Sequence, residues 1–213
     1  MAFKPISTQT LQRMPMYLNY LKDLPVGGAA NISATMMADD LRLNDVQVRK
    51  DLAMVGQGGR PKIGYVVKDL ISDIEHCLGF NNIDSAVLIG VGNLGRTLLE
   101  YEGFSECGVD IVVAFDVNQS IVGTTINGKR ILPVSKLYSI CSRMKIKMGI
   151  ITVGTGEAQG ICDLLVKSGV VAIWNFASVR LNVPSNVFVH NDNMTSSLAV
   201  LSNYLVERFS TNK

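Results

Sequence analysis

Two rhythms of apolar residues divide this chain near Gly79 to Asp84. Before that point apolar positions recur at helical spacing, and after it short β-branched runs alternate with helical stretches. The first predicted helix spans about Thr8 to Leu24 with Leu11, Met14, Leu18 and Leu21 on one face, and Pro25-Val26-Gly27-Gly28 stops it. A second starts at Ser33 and turns Ala34, Met37, Ala38 and Leu41 inward. After a tight break at Arg42-Leu43-Asn44, a third runs from Asp45 to Val55, capped by Asn44 or Asp45. Val48, Leu52 and Val55 of this helix face the core, while Gln47, Arg49 and Lys50 project from another side. The stretch Gly56 to Val67 is too glycine-rich for a helix and reads as a hairpin with two cations, Arg60 and Lys62, at its tip. A fourth helix, Lys68 to Leu78, completes this half.

In the second half, Ser85 to Ile89, Ile111 to Phe115, Met148 to Val153, Val170 to Trp174 and Val187 to His190 read as strands. Helices are predicted at Leu94 to Glu102, Ser135 to Arg143 and Glu157 to Lys167. Strands spaced by helices require right-handed crossovers, which gives an α/β class with a Rossmann-type, doubly wound parallel sheet. Ligands of such sheets lie beyond the carboxyl ends of the strands. Val153-Gly154-Thr155-Gly156-Glu157 and Asn175-Phe176-Ala177-Ser178 should therefore reach one cleft.

The same cleft receives the most specific motif of the chain. An apolar strand, Ser85 to Ile89, runs directly into Gly90-Val91-Gly92-Asn93-Leu94-Gly95 and then a helix. Gly90 allows the tight turn, Gly92 the close approach of backbone to a pyrophosphate, and Gly95 the close packing of helix on strand. A second apolar run ends in Asp116, about twenty residues past the last glycine, where a carboxylate can accept hydrogen bonds from a ribose. The residues that follow are Val117, Asn118, Gln119 and Ser120, with no Arg to hold a 2′-phosphate, so NAD or NADH is expected over the phosphorylated forms.

The first half suits a different ligand. A tight turn between two helices, a recognition helix carrying Gln47, Arg49 and Lys50, and a basic wing with Arg60 and Lys62 form a coherent surface for double-stranded DNA. Phosphates attract the cations, and the glutamine can read base edges.

Composition narrows the alternatives. The chain has 213 residues, of which 47% are hydrophobic and 18% charged, so it is globular. No apolar stretch is long enough for a membrane span and the opening residues lack a signal-peptide core, so no membrane partner and a cytoplasmic location are expected. Cys77, Cys107, Cys141 and Cys162 are scattered, which supports neither a disulfide framework nor a zinc site. His76 and His190 are the only imidazoles, expected on a helix surface and a strand end rather than as a catalytic base. The net charge of +2 names no partner.

These residues resemble the Rex redox-sensing transcriptional repressors over nearly the whole chain. The resemblance rests on Val48-Arg49-Lys50-Asp51-Leu52, Ile63-Gly64-Tyr65, Val91-Gly92-Asn93-Leu94-Gly95, Ala114-Phe115-Asp116-Val117, and Ile173-Trp174-Asn175-Phe176-Ala177 with Val179-Arg180-Leu181. It implies a homodimer that binds a palindromic operator when NADH is scarce relative to NAD and leaves it when NADH binds, with the C-terminal helix exchanged between subunits. Met194, Leu198, Leu201, Leu205 and Phe209 recur at helical spacing, which fits such an exchange and equally fits packing on the same subunit. The expected organisation is a winged helix-turn-helix domain over 1–80, its helix-turn-helix near 17–56, a Rossmann domain over 81–193 and a dimerisation helix over 194–213.

Three departures from the family pattern stand out. Ala53-Met54-Val55-Gly56-Gln57-Gly58-Gly59 replaces an aromatic-rich approach to the wing, Asn19 and Asn193 stand where an Arg and an Asp are common, and Val153-Gly154-Thr155 stands where a Val-Pro is usual. The competing function is an NAD-dependent dehydrogenase. It would need a proton donor or acceptor at the nicotinamide, and the second half offers only His190 and scattered Lys or Arg, with no separate substrate domain.

Overall fold

The structure is a computed structural model that describes residues 6–25, 30–55, 58–60, 63–192 and 194–210. It separates into two compact units, Met1–Asn82 and Ile83–Lys213, because each closes its own hydrophobic core.

In the first unit, α1 (Thr8–Lys22), β1 (Asn31–Ile32), α2 (Ala34–Leu41), α3 (Asp45–Leu52), β2 (Tyr65–Val66) and α4 (Val67–Leu78) surround a core that includes Met14, Leu18, Met37, Val48, Leu52 and Ile74. Side chains begin each of the first three helices: Ser7, Ser33 and Asn44 accept from the N–H groups of Thr10, Met36, and Val46 and Gln47. Arg42 takes a left-handed conformation, with φ 55°, and ends α2 by donating to the carbonyls of Ala38 and Asp39. This makes the helix-to-helix break tight.

Two expectations for the helices are corrected. On α1 the buried face carries Thr10 and Tyr17, while Leu11 is 36% exposed, because the polar pair turns toward Asp51 of α3. The third helix ends at Leu52, short of Val55, where tighter turns run from Met54 N–H to the Asp51 carbonyl and from Val55 N–H to that of Leu52. The wing also pairs beyond its own hairpin. Its returning strand β2 pairs with β1, a strand not foreseen, in the antiparallel register Asn31↔Val66 and Ile32↔Tyr65. The tip is closed by Arg60 N–H donating to the Gly64 carbonyl at 2.8 Å. Gly64 has φ +83°, and a Cβ there would stand 2.3 Å from the Ile32 carbonyl oxygen, so only glycine lets the wing lie against β1. Lys62 lies outside the described residues.

The second unit is a seven-stranded sheet: β3 (Asp84–Ile89), β4 (Val109–Asp116), β5 (Thr125–Ile126), β6 (Lys129–Pro133), β7 (Met148–Ile151), β8 (Ala172–Asn175) and β9 (Phe188–Asn191). Their spatial order is β5-β6-β4-β3-β7-β8-β9, and all pairs are parallel except β5 with β6. The parallel strands thus run third, second, first, fourth, fifth, sixth, the doubly wound order of dinucleotide folds. Helices α5 (Asn93–Glu100), α6 (Leu137–Met144) and α7 (Thr155–Lys167) connect them, and α8 (Met194–Ser210) follows β9. Both faces of β3 are buried: Val87 and Ile89 join the cluster of Leu137, Cys141, Ala158 and Cys162, and Ala86 and Leu88 that of Leu99 and Ile131. That two-sided burial explains why the strand reads as a continuous apolar run.

The β5–β6 hairpin went unpredicted although its signal is in the sequence. Asn127 and Gly128, at φ 45° and 76°, form the two-residue turn that Asn-Gly favours, flanked by Thr125-Ile126 and Lys129-Arg130-Ile131. The four cysteines are free: Cys141 and Cys162 are buried and their thiols pushed up to about 11 by that burial, whereas Cys107 is exposed.

Candidate functional site

At the carboxyl end of β3 each glycine of the motif has a separate geometric reason. Gly90 has φ +99°, and a Cβ on it would meet Val153 Cγ1 at 2.8 Å and the Thr152 carbonyl oxygen at 2.9 Å. A Cβ on Gly95 would stand 1.9 Å from the Gly90 carbonyl oxygen, so α5 packs directly on the turn. Gly92, the N-cap of α5, has nothing within 4 Å of such a Cβ. The space over Gly92 at a helix N-terminus is what a pyrophosphate requires, because the first N–H groups of a helix have no partners within it.

The strand order reverses between β3 and β7, which sets the loop after β7 beside the glycine turn. Thr152, not singled out from sequence, ties them: its hydroxyl donates to the carbonyls of Ile89 (3.0 Å) or Gly90 (2.6 Å), and its N–H donates to Ile89 at 2.9 Å. A threonine at a strand end carries no distinctive pattern, so only the folded chain exposes this role. Gly154 is the N-cap of α7, with Thr155 its first residue and Glu157 in its first turn, all exposed. Phe176 N–H donates to the Ile151 carbonyl at 2.9 Å, which brings the loop after β8 next to the same edge.

Asp116 ends β4 as expected, and its carboxylate has partners within the protein. One oxygen accepts from Val91 N–H at 2.5 Å and the other from Asn118 N–H at 2.8 Å, so it braces the glycine turn. Val117 is 77% exposed beside it. Asn175, expected in the same cleft, also has a structural part. Its side chain, fully buried, donates to the carbonyls of Ala177 (3.1 Å) and Val179 (3.0 Å) and to Asn191 Oδ1 (2.9 Å), and accepts from Ala177 N–H (3.0 Å). Its amide hydrogens are committed to acceptors in the loop and on β9, so it shapes the segment Phe176-Ala177-Ser178. Phe176 packs on Trp174 with ring centroids 4.6 Å apart, and Ser178 with Arg180 and Asp192 lines a cavity of about 500 Å³ at this end of the sheet.

In the first unit Gln47, Arg49, Lys50 and Arg60 are all exposed, Arg49 next to Asp45 at 3.3 Å. The residue sequence reasoning missed is Asp51, 1% exposed in the middle of α3. Its Oδ1 accepts from Thr10 Oγ1 (3.1 Å), Arg13 Nη2 (2.9 Å) and Gln47 Nε2 (2.9 Å), and its Oδ2 from Arg13 Nε (2.6 Å) and Tyr17 OH (2.9 Å). Burial alone would raise the Asp51 carboxyl, but the hydrogen bonds from Arg13, Tyr17, Gln47 and Thr10 outweigh it and hold the group below the usual carboxylate range. Burial and the neighbouring carboxylate push the Tyr17 phenol up to about 12. A signal existed: Thr10, Arg13 and Tyr17 sit at helical spacing on α1, but polar residues on an inward face read as solvent-facing until the partner is known.

Among the described residues no helix is long and apolar enough to cross a membrane, and no cluster of three His, Cys, Asp or Glu could hold a metal. Fold and motif together define the class: a winged helix-turn-helix unit joined in one chain to a Rossmann-type unit with a dinucleotide turn. Residues 5–53 match the family described as putative DNA-binding protein N-terminus, and residues 81–179 the CoA binding domain. The redox-sensing transcriptional repressor Rex of Bacteroides fragilis is 40% identical over 196 residues, covering 92% of this chain and 89% of the relative. Solved structures of a Rex-family repressor match at 30% identity, two of them ligand complexes. One, RSP in complex with beta-NAD+ and operator DNA, has a TM-score of 0.90 over 96% of this chain and 94% of its own. The other, RSP in complex with beta-NADH, has a TM-score of 0.87 over 99% and 100%. The chain belongs to the Rex family of redox-sensing transcriptional repressors. Its curated relatives are repressors, not enzymes, which sets the dehydrogenase alternative aside.

Proposed function

We propose that this protein binds palindromic operator DNA as a homodimer, binds NAD and NADH at the glycine turn, and leaves the operator when NADH binds. The carrying observation is the open space over Gly92, between two glycines whose own Cβ positions are blocked by protein atoms. The cofactor supplies only its redox state as a signal. Gly90 to Gly95 would receive the pyrophosphate at the N-terminus of α5, and Asp116 with Val117 the adenosine ribose. The nicotinamide end falls to Val153, Gly154, Thr155 and Glu157 and to the loop Phe176 to Ser178 that Asn175 holds in shape. Gln47, Arg49 and Lys50 would enter the major groove, with Arg60 and Lys62 on the backbone beside it.

A ligand shifts an arrangement only by preferring it, so NADH must stabilise a dimer whose two α3 helices are mis-spaced for successive major grooves. The apolar residues of α8, Leu198, Leu201, Leu205 and Phe209, are more than half exposed in the single chain, which supports their burial against a second copy. A bacterial cytoplasmic location follows from binding the operator. The test is fluorescence anisotropy of a duplex that this protein enriches from a palindromic random pool, titrated with NAD, NADH, NADP and NADPH. NADH should release the duplex at far lower concentration than the other three; release by none of them would refute the sensor.

A further inference from the structure

The side chain of Gln47 is exposed, yet it is not free to turn. Its Nε2 donates to Asp51 Oδ1 across one helical turn at 2.9 Å. A glutamine amide has a donor end and an acceptor end, and only the donor end can face a carboxylate. Asp51 cannot swing aside to release it, because Thr10, Arg13 and Tyr17 of α1 supply four further hydrogen bonds to the same two oxygens. Held in this way, Gln47 presents its oxygen and one remaining N–H. In the major groove adenine pairs a donor, N6–H, with an acceptor, N7, whereas guanine offers two acceptors, N7 and O6. An amide fixed with one acceptor and one donor outward matches the first pattern.

We infer that Asp51 is a positioning residue for base recognition: anchored by α1, it locks the Gln47 amide so that α3 selects adenine over guanine at one position of each operator half-site. This rests on the proposed DNA-binding reading of α3. The experiment measures wild-type, Gln47→Ala, Asp51→Asn and double-variant affinities for duplexes in which each A·T pair of the half-site is replaced in turn by G·C, with thermal melts of every variant. Wild type should lose about ten-fold or more at one A·T pair. Gln47→Ala should lose that preference and keep the others. Asp51→Asn should lose the same preference even if it weakens every duplex, because asparagine can present either end of its amide and Gln47 can then flip; on the Gln47→Ala background it should change the preference no further. Full preference retained in Asp51→Asn, or uniform weakening by Gln47→Ala, overturns the inference while leaving operator binding intact. A wild type that does not distinguish operator from scrambled duplex overturns the DNA-binding reading itself and this inference with it. If Asp51→Asn does not fold, hydrogen exchange of the Gln47 side-chain amide in the wild-type protein decides: slowed exchange of the one proton that faces Asp51 Oδ1 supports the lock, and exchange of both protons at the rate of a free glutamine amide overturns it.

Discussion

Replacing Gly95 by alanine tests the glycine turn most directly. The new methyl would stand 1.9 Å from the Gly90 carbonyl oxygen, about 1.5 Å inside the 3.4 Å at which ordinary contact begins. The obstacle is backbone, and the same oxygen is within hydrogen-bond reach of the Thr152 hydroxyl, so no side chain can rotate away to make room. Overpacking costs about 1 to 3 kcal/mol, and a backbone obstacle places this case at about 3. For a unit of this size that lowers the melting temperature by about 10 °C. If the helix yields instead, the pyrophosphate cradle opens and NADH affinity falls by about 100-fold. Gly92→Ala is the internal control. With φ −73° and nothing within 4 Å, it meets no protein atom, and replacing a glycine N-cap costs at most about 1 kcal/mol, or roughly 3 °C. Its methyl would nevertheless occupy the space a pyrophosphate approaches. Scanning calorimetry and NADH titration should therefore separate the two variants: Gly95→Ala loses stability or, where the helix yields, binding, and Gly92→Ala loses binding with at most about 3 °C of melting temperature. A Gly95→Ala protein that melts and binds like wild type would refute the close helix-on-strand packing, and unimpaired NADH binding by Gly92→Ala would move the pyrophosphate away from α5.

Asp116→Ala should weaken NADH binding and also lower the melting temperature, because it strips acceptors from Val91 and Asn118 N–H groups at about 1 to 3 kcal/mol; operator binding should persist and no longer respond to NADH, as calorimetry with anisotropy would read. Arg49→Ala, Lys50→Ala and Arg60→Ala should each weaken operator binding and reduce the slope of log affinity against log salt by about one, whereas a salt slope unchanged in all three would place the phosphates elsewhere. Because the Asp51 carboxyl lies lower in the folded protein than in the unfolded chain, its stabilisation is complete above about pH 4 and fades as pH falls through the folded value; urea melts of Asp51→Asn should show a flatter acid limb than wild type. The Tyr17 phenol is shifted the other way, to about 12, so its contribution holds below about pH 10 and is lost as pH rises toward 12, and Tyr17→Phe should remove that alkaline loss.

The sequence by itself determined the strand-turn-helix at Gly90 to Gly95, the terminal acid Asp116, the helix starts at Ser33 and Asn44, and the order of strands and helices that forces a doubly wound sheet. These are local: a cap, a positive φ or an apolar period acts within a few residues and leaves its mark in consecutive letters. What only the tertiary structure decided is which partner each polar group meets. Asp51 reads as one more charge on a solvated helix until α1 brings Thr10, Arg13 and Tyr17 to it across more than thirty residues. The part Asn175 plays in shaping its loop shows only when the Ala177 and Val179 carbonyls and Asn191 close around it. Asp116 is legible as an acid at a strand end, but its hold on Val91 depends on β3 and β4 lying side by side. Asn19 is exposed on α1, and Asn193, the other half of the neutral pair that departs from the family pattern, lies outside the described residues. A hydrogen bond between distant segments depends on geometry that the whole fold sets, so no window of sequence contains it.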